Sequence, residues 1–119
     1  RVSRVNGRRG RGTTSARIAI YGGRMIRVSV SYPSGDGTTF DHDYYANSHV
    51  PLCQEAWSPA KVEIDKGISG PNVAAVHMYF DSMEQFNAAM GSPRTGEIMA
   101  DVANYTNITP SMQISEICE

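Results

Sequence analysis

The chain has 119 residues, with 11 basic and 12 acidic side chains for a formal net charge of −1. That length fits a single domain with a core of modest margin. No apolar run approaches the about eighteen residues that cross a membrane, and there is no Gly-rich phosphate loop, dinucleotide fingerprint or nucleophile elbow.

Residues 1–24 stand apart from the rest. They hold seven arginines and no acid, which leaves four basic residues against all twelve acids in 25–119, a net of −8 there. An Arg-rich stretch with Gly, Ser and Thr has the composition of a nucleic-acid arm, a transit segment or translated upstream sequence. The last is the favoured reading, so the domain is expected over 25–119 with 1–24 as an extension outside it. An acidic body repels a phosphate backbone, so nucleic acid is not expected as a partner.

From Met25 the pattern is legible. Ile26, Val28, Val30 and Tyr32 alternate with Arg27, Ser29 and Ser31, a strand ended by Pro33. Ser34 to Gly37 form a loop, after which Thr39 or Asp41 can cap a helix running to about His49. Pro51 is expected to interrupt or restart that helix, which resumes as far as Trp57. Val62, Ile64, Lys66 and Ile68 then alternate as an exposed strand near a sheet edge, and Gly70-Pro71-Asn72 turns into a central strand, Val73 to Phe80. Asp81 or Ser82 caps a helix with a stripe of Met83, Phe86, Ala89 and Met90. A further helix from about Thr95 to Asn104 turns Ile98, Val102 and Tyr105 inward, and Met112 to Ser115 give a last strand.

The order β-α-β-β-α-(α)-β is that of an α+β, ferredoxin-like βαββαβ sandwich. Apolar residues on both sides of the third strand call for a cover on the sheet's second face. A second copy is the simplest cover, so a homodimer with face-to-face sheets is expected.

The segments Met25 to Val30, Phe40 to Leu52, Ala75 to Phe80, Tyr105 to Ile108 and Gln113 to Glu116 together resemble the EthD family of dimeric α/β barrels. That family takes its name from a protein associated with ethyl tert-butyl ether degradation. Related dimeric barrels include cofactor-independent monooxygenases, lactone isomerases and haem-binding enzymes, with a pocket between sheet and helices. The resemblance implies a small apolar or aromatic oxygenated ligand. It leaves open whether a reaction occurs.

His49 is the first candidate for general acid–base work, since imidazole gives and takes protons near neutral pH. It stands where the family has the histidine of an H-x-P step. The alternative is a structural histidine serving carbonyls that Pro51 frees. Tyr45 lies one helical turn away and is preferred as its pocket partner and catalytic assistant, with Tyr44, toward a rim or dimer contact, as a substrate-binding candidate. Tyr32, Trp57 and His77 are candidate pocket walls. His77 and Tyr79 line the same pocket only if their strand face meets the helices, and otherwise belong to the interface. His42 beside two acids reads as solvated. Cys53 reads as a small buried hydrophobe more than a nucleophile paired with His49.

Cys53 and Cys118 do not form a spaced metal motif, and without a secretion signal they read as reduced thiols of a cytoplasmic protein. No metal and no cofactor is expected, with a single-histidine haem site as the minor alternative. The expected function is a cofactor-independent isomerase, lyase or oxygenase of catabolism or secondary metabolism. The runner-up is a non-catalytic small-molecule binding or accessory protein of a degradation pathway.

Overall fold

Alternation of Ile26, Val28 and Tyr32 with Arg27, Ser29 and Ser31 makes β1 (Ile26–Pro33) in a computed structural model of the chain, which describes residues 24–118. The Arg-rich stretch lies outside the described residues except for Arg24. A helical rod follows in three parts: α1 (His42–Tyr44), a π-helical turn (Tyr45–His49) and α2 (Val50–Trp57). Then come β2 (Lys61–Lys66), β3 (Asn72–Phe80), α3 (Met83–Met90), α4 (Thr95–Asp101), a 3-10 turn (Val102–Asn104) and β4 (Ser111–Glu116).

The four strands form one antiparallel sheet in the order β2-β3-β1-β4. The rod carries the chain from β1 to β2 and leaves a gap that β3 fills, which is the split βαβ arrangement of a ferredoxin-like α+β fold. The expected caps are in place. Asp41 accepts the Tyr44 N–H at 3.0 Å and Ser82 accepts the Gln85 N–H at 3.2 Å, each satisfying a first-turn amide that has no helical partner.

Of the two outcomes expected at Pro51, interruption or restart, the rod shows the restart, with no break in the chain's helical course. The turn before it is wound wide, with the Val50 N–H reaching the Tyr45 carbonyl five residues back. A wider turn moves the carbonyl that would meet the proline ring, so the chain continues into α2 with Pro51 in its first turn. The rod ends at Ser58, which takes a left-handed conformation with φ 48° and donates its N–H to the Gln54 carbonyl.

One face of the sheet meets the helices. On it Ile26, Val28 and Tyr32 of β1 and Ala74, Val76, Met78 and Phe80 of β3 pack with Tyr45, Val50, Cys53, Phe86 and Ile98 in the core. Of the expected α3 stripe, Phe86 and Ala89 are buried and Met90 is partly covered, while Met83 is exposed. Ile68 lies beyond β2 and is fully exposed, so the edge strand stops at Lys66.

The opposite face carries Val73, Ala75, His77 and Tyr79 of β3 among Arg27, Ser29 and Ser31 of β1 and Glu63 and Asp65 of β2. It is more polar than the third strand alone implied, because its cross-strand neighbours are charged or hydroxylated. Exposed apolar surface sits elsewhere. Met112 and Ile114 on the edge strand β4 are 53% and 44% exposed, beside Val30 and Val28, beyond the reach of the helices.

Candidate functional site

The rod and the α4–β4 connection are stitched together at one end of the molecule. Phe40 and Thr106 form an antiparallel bridge, and the Asp41 N–H donates to the Tyr105 carbonyl at 2.8 Å. The Thr106 hydroxyl donates to the Thr39 carbonyl at 2.6 Å, while the Asn107 amide donates to the Gly37 carbonyl at 2.9 Å. This seam brings the end of α4 against the π-helical turn. It fixes Asp101 and Tyr105 beside His49.

His49 is 4% exposed and uses both ring nitrogens. Nδ1 lies 2.9 Å from Asp101 Oδ2, and Nε2 lies 3.3 Å from the Tyr105 hydroxyl. The Tyr105 hydroxyl is in turn 2.7 Å from that of Tyr32. Burial acts to raise the Asp101 pKa, but hydrogen bonds from Tyr44, Asn104 and His49 outweigh it and hold the carboxyl below its ordinary value. An ionised carboxylate only accepts, so His49 Nδ1 carries the proton. In the neutral ring Nε2 then accepts from Tyr105, which accepts from Tyr32. The result is a directed chain, Tyr32 to Tyr105 to His49 to Asp101.

The outer end of the chain is anchored. The Tyr44 hydroxyl donates to Asp101 Oδ1 at 2.6 Å and the Asn104 amide donates to the same oxygen at 2.9 Å. The inner end is aromatic. Tyr45 stacks on His49 with centroids 5.5 Å apart and an 18° interplanar angle, and Phe40 lies 5.0 Å from Tyr45 and 5.4 Å from Tyr105. Burial pushes the phenols of Tyr45, Tyr105 and Tyr32 upward, so all three stay protonated. Burial also raises the Cys53 thiol to about 12, which leaves it a small apolar filler and no nucleophile at neutral pH.

Four of the six candidate residues therefore gather in one place: His49, Tyr45, Tyr44 and Tyr32. Two do not. Trp57 stands eight residues beyond His49, about 12 Å along the rod, where its indole N–H donates to Thr95 and it borders a shallow groove of about 480 Å³ with Glu84 and Ala88. His77 points from the other face of the sheet, with Tyr79, so neither lines the space beside His49. Asp101 and Tyr105 complete the cluster. Tyr105 was expected only to face inward and Asp101 was not singled out, although their four-residue spacing matches that of Tyr45 and His49.

The space around His49 is filled by these rings. A surface groove of about 370 Å³ lined by Thr39, Phe40, Asp41 and residues 103–107 touches the cluster through Phe40 and Tyr105. Among the described residues no group of three or more His, Cys, Asp or Glu side chains comes together as a metal site. No helix among them is long and apolar enough to cross a membrane.

The model of the EthD domain matches residues 37–109, the stretch that holds all of the cluster except Tyr32. The chain belongs to the EthD family. An uncharacterised 11.0 kDa protein from the thcB–thcC intergenic region of Rhodococcus erythropolis is 32% identical over 89 residues, covering 70% of this chain and 85% of that protein. The crystal structure of an EthD-like protein from Ralstonia eutropha JMP134 is 39% identical, with a TM-score of 0.74 over 82% of this chain and 95% of that one. A cofactor-independent oxygenase from Streptomyces nogalater has the same fold at 8% identity, with a TM-score of 0.61 over 82% of this chain and 95% of that one.

Proposed function

We propose that this EthD-family chain acts on a small apolar or aromatic oxygenated molecule, with His49 as general acid–base and no cofactor. The observation that carries this reading is the polarised chain from Tyr32 through Tyr105 to His49 and Asp101. Asp101 fixes the tautomer and supports an imidazolium, while Nε2 faces a phenol that can be exchanged for a substrate hydroxyl or enol. Isomerisation, elimination and substrate deprotonation ahead of oxygen attack all need such a proton acceptor. Tyr45 holds the imidazole by stacking and Tyr44 holds Asp101, so both are positioning residues. An oxygenase of the same fold that needs no cofactor supports the reaction class at the level of fold.

A second reading has its own observation. His49 is buried with both nitrogens satisfied, which suits a pocket that binds without proton transfer. The test is His49→Gln assayed against a panel of lactones and hydroxy-aromatics, with ligand binding followed by calorimetry. Turnover falling by about 10²-fold or more with binding retained supports acid–base work. Unchanged turnover removes it, and binding without turnover in the wild type favours the accessory role.

The same reading includes a homodimer. Exposed Met112 and Ile114 on an open strand edge are a surface that a second copy would cover. Sedimentation at micromolar concentration giving only monomer would remove it.

A further inference from the structure

The groove of about 370 Å³ at the seam is where the His49 cluster meets the surface. Phe40 and Tyr105 line it and also pack within the cluster, the Phe40 ring lying 4.9 Å from Tyr32, 5.0 Å from Tyr45 and 5.4 Å from Tyr105. These rings belong to the core on the helix side of the sheet, so sheet-to-sheet packing on the opposite face does not reach the groove.

The charge around it is one-sided. Asp41 is the only charged side chain among the lining residues, and it is exposed. One of its oxygens accepts the Tyr44 N–H, and the other has no partner among the described residues. Asp101 stands behind it, bonded to Asn104 and Tyr44. The described cations lie elsewhere. Arg24 and Arg27 are at the start of β1, whose far end leads to the groove. Lys61 and Lys66 are on the edge strand β2, and Arg94 is paired with Glu55 and Glu97 beside the start of α4. Resting on the function proposed for the His49 cluster, we infer that this groove is the binding mouth of that site and selects its substrate by charge. It takes an aromatic hydroxyl compound whose second polar group is a hydrogen-bond donor, an alcohol or an ammonium, and turns away the matching carboxylic acid.

Phe40 carries no polar side-chain atom, so its ring can turn aside without breaking a hydrogen bond. A ligand ring in its place meets the same three tyrosine rings, with its hydroxyl toward Tyr105 and His49 Nε2. Its other end then lies in the groove. Asn104 spends its amide N–H groups on Asp101 and Tyr44, which leaves its side-chain oxygen without a partner among the described residues. That oxygen and the second oxygen of Asp41 are acceptors, and a donor satisfies them. A carboxylate at the same end meets no cation and stands beside a like charge, with Asp101 behind it. Such repulsion costs about tenfold in affinity at low ionic strength and fades as salt is added.

Three probes test this, alike in ring and different at the far end: tyrosol with an alcohol, tyramine with an ammonium and 4-hydroxyphenylacetate with a carboxylate. Their affinities for the full chain are measured by calorimetry at low and high salt, in the wild type, Asp41→Asn and Ala103→Trp. Asparagine keeps the helix cap and removes the charge, while tryptophan at the exposed Ala103 fills the groove. Tyrosol and tyramine are expected to bind about tenfold more tightly than the acid in the wild type at low salt, and within about threefold of it in Asp41→Asn. Ala103→Trp should lose the probes and keep its melting temperature. Equal affinity for acid and alcohol in the wild type, no binding of any probe, or wild-type binding of tyrosol by Ala103→Trp overturns the inference. The two readings fail separately. Turnover of a substrate that ignores both Asp41→Asn and Ala103→Trp removes the groove and leaves acid–base work at His49 standing. The expected charge preference without any turnover removes acid–base work and leaves the groove.

Discussion

Asp101 and His49, 52 residues apart in the chain, share a 2.9 Å contact between a carboxylate oxygen and Nδ1 at the junction of α4 and the π-helical turn. Asp101 also receives the Tyr44 hydroxyl and the Asn104 amide. One carboxylate therefore satisfies three donors. Asp101→Ala strands all three, two of them at partly or fully buried side chains, and is expected to destabilise the fold by about 1–3 kcal/mol. Urea unfolding of the two proteins measures it, and a loss below about 0.5 kcal/mol would mean that water replaces the carboxylate.

The same residue sets an acid limit. Its folded pKa lies below the ordinary 3.8, so its stabilisation is fully present above about pH 4 and is lost as pH falls through the folded value. Asp101→Asn keeps the shape but cannot titrate. Melting temperatures taken between pH 5 and pH 2 should fall less steeply in this variant than in the wild type.

Tyr105 joins the two halves of the chain of hydroxyls, between Tyr32 and His49. Tyr105→Phe leaves the Tyr32 hydroxyl and His49 Nε2 without this partner inside the core. A loss of about 1–3 kcal/mol is expected, because buried polar groups left unpaired keep their full desolvation penalty. Where a substrate hydroxyl takes the place of Tyr105, ligand should restore more of the melting temperature in this variant than in the wild type.

At alkaline pH the burial of protonated groups works against the fold. Cys53 is raised from 9.0 to about 12 and the phenols of Tyr32, Tyr45 and Tyr105 are raised above 10.0. The unfolded chain releases these protons first. Stability is thus fully present below about pH 9 and declines as pH rises toward the folded values, by about 1.4 kcal/mol per pH unit for each group. Cys53→Ala should flatten the decline between pH 9 and 10 and make it less steep by one group above 10, where the phenols still contribute, as read by chemical denaturation at stepped pH.

Two backbone positions predict opposite signs. A Cβ built on Gly67 would stand 2.1 Å from the Asn72 carbonyl oxygen across the β2–β3 turn, so Gly67→Ala should cost about 1–3 kcal/mol. Ser58 holds a left-handed φ of 48° at the end of α2, where glycine has no steric penalty. Ser58→Gly should raise stability by about 0.5–1 kcal/mol. Thermal melts check both: a higher melting temperature for Gly67→Ala would contradict the first assignment, and a lower one for Ser58→Gly the second.

Much of the fold is legible in the sequence because local periodicity reports local structure. The alternation of Ile26, Val28 and Tyr32 with Arg27, Ser29 and Ser31 specifies β1 without knowledge of its partners. Asp41 and Ser82 mark helix starts because their side chains serve amides three residues away. The pairing of Tyr45 with His49 is equally local, and it survives the change from α to π winding. Pro51 is legible only in part for the same reason: its missing N–H marks a restart, and only the width of the preceding turn decides that the rod continues without a break.

The chemistry near His49 and His77 is not local, and the chain alone leaves it undecided. Asp101 acquires its place through the seam of Phe40 with Thr106, a contact spanning more than sixty residues that no spacing records. His77 is ambiguous in sequence because alternation says which residues share a face and not which face the helices choose. That choice is made by Ala74, Val76, Met78 and Phe80, whose burial against the rod and α3 turns His77 toward Ser29 and Asp65. The sequence by itself determined the elements, their order and the family, through propensities and periods that act over a few residues. Only the tertiary structure decided which charges meet, since a carboxylate is drawn to an imidazole by a distance in space that the chain does not encode in its numbering.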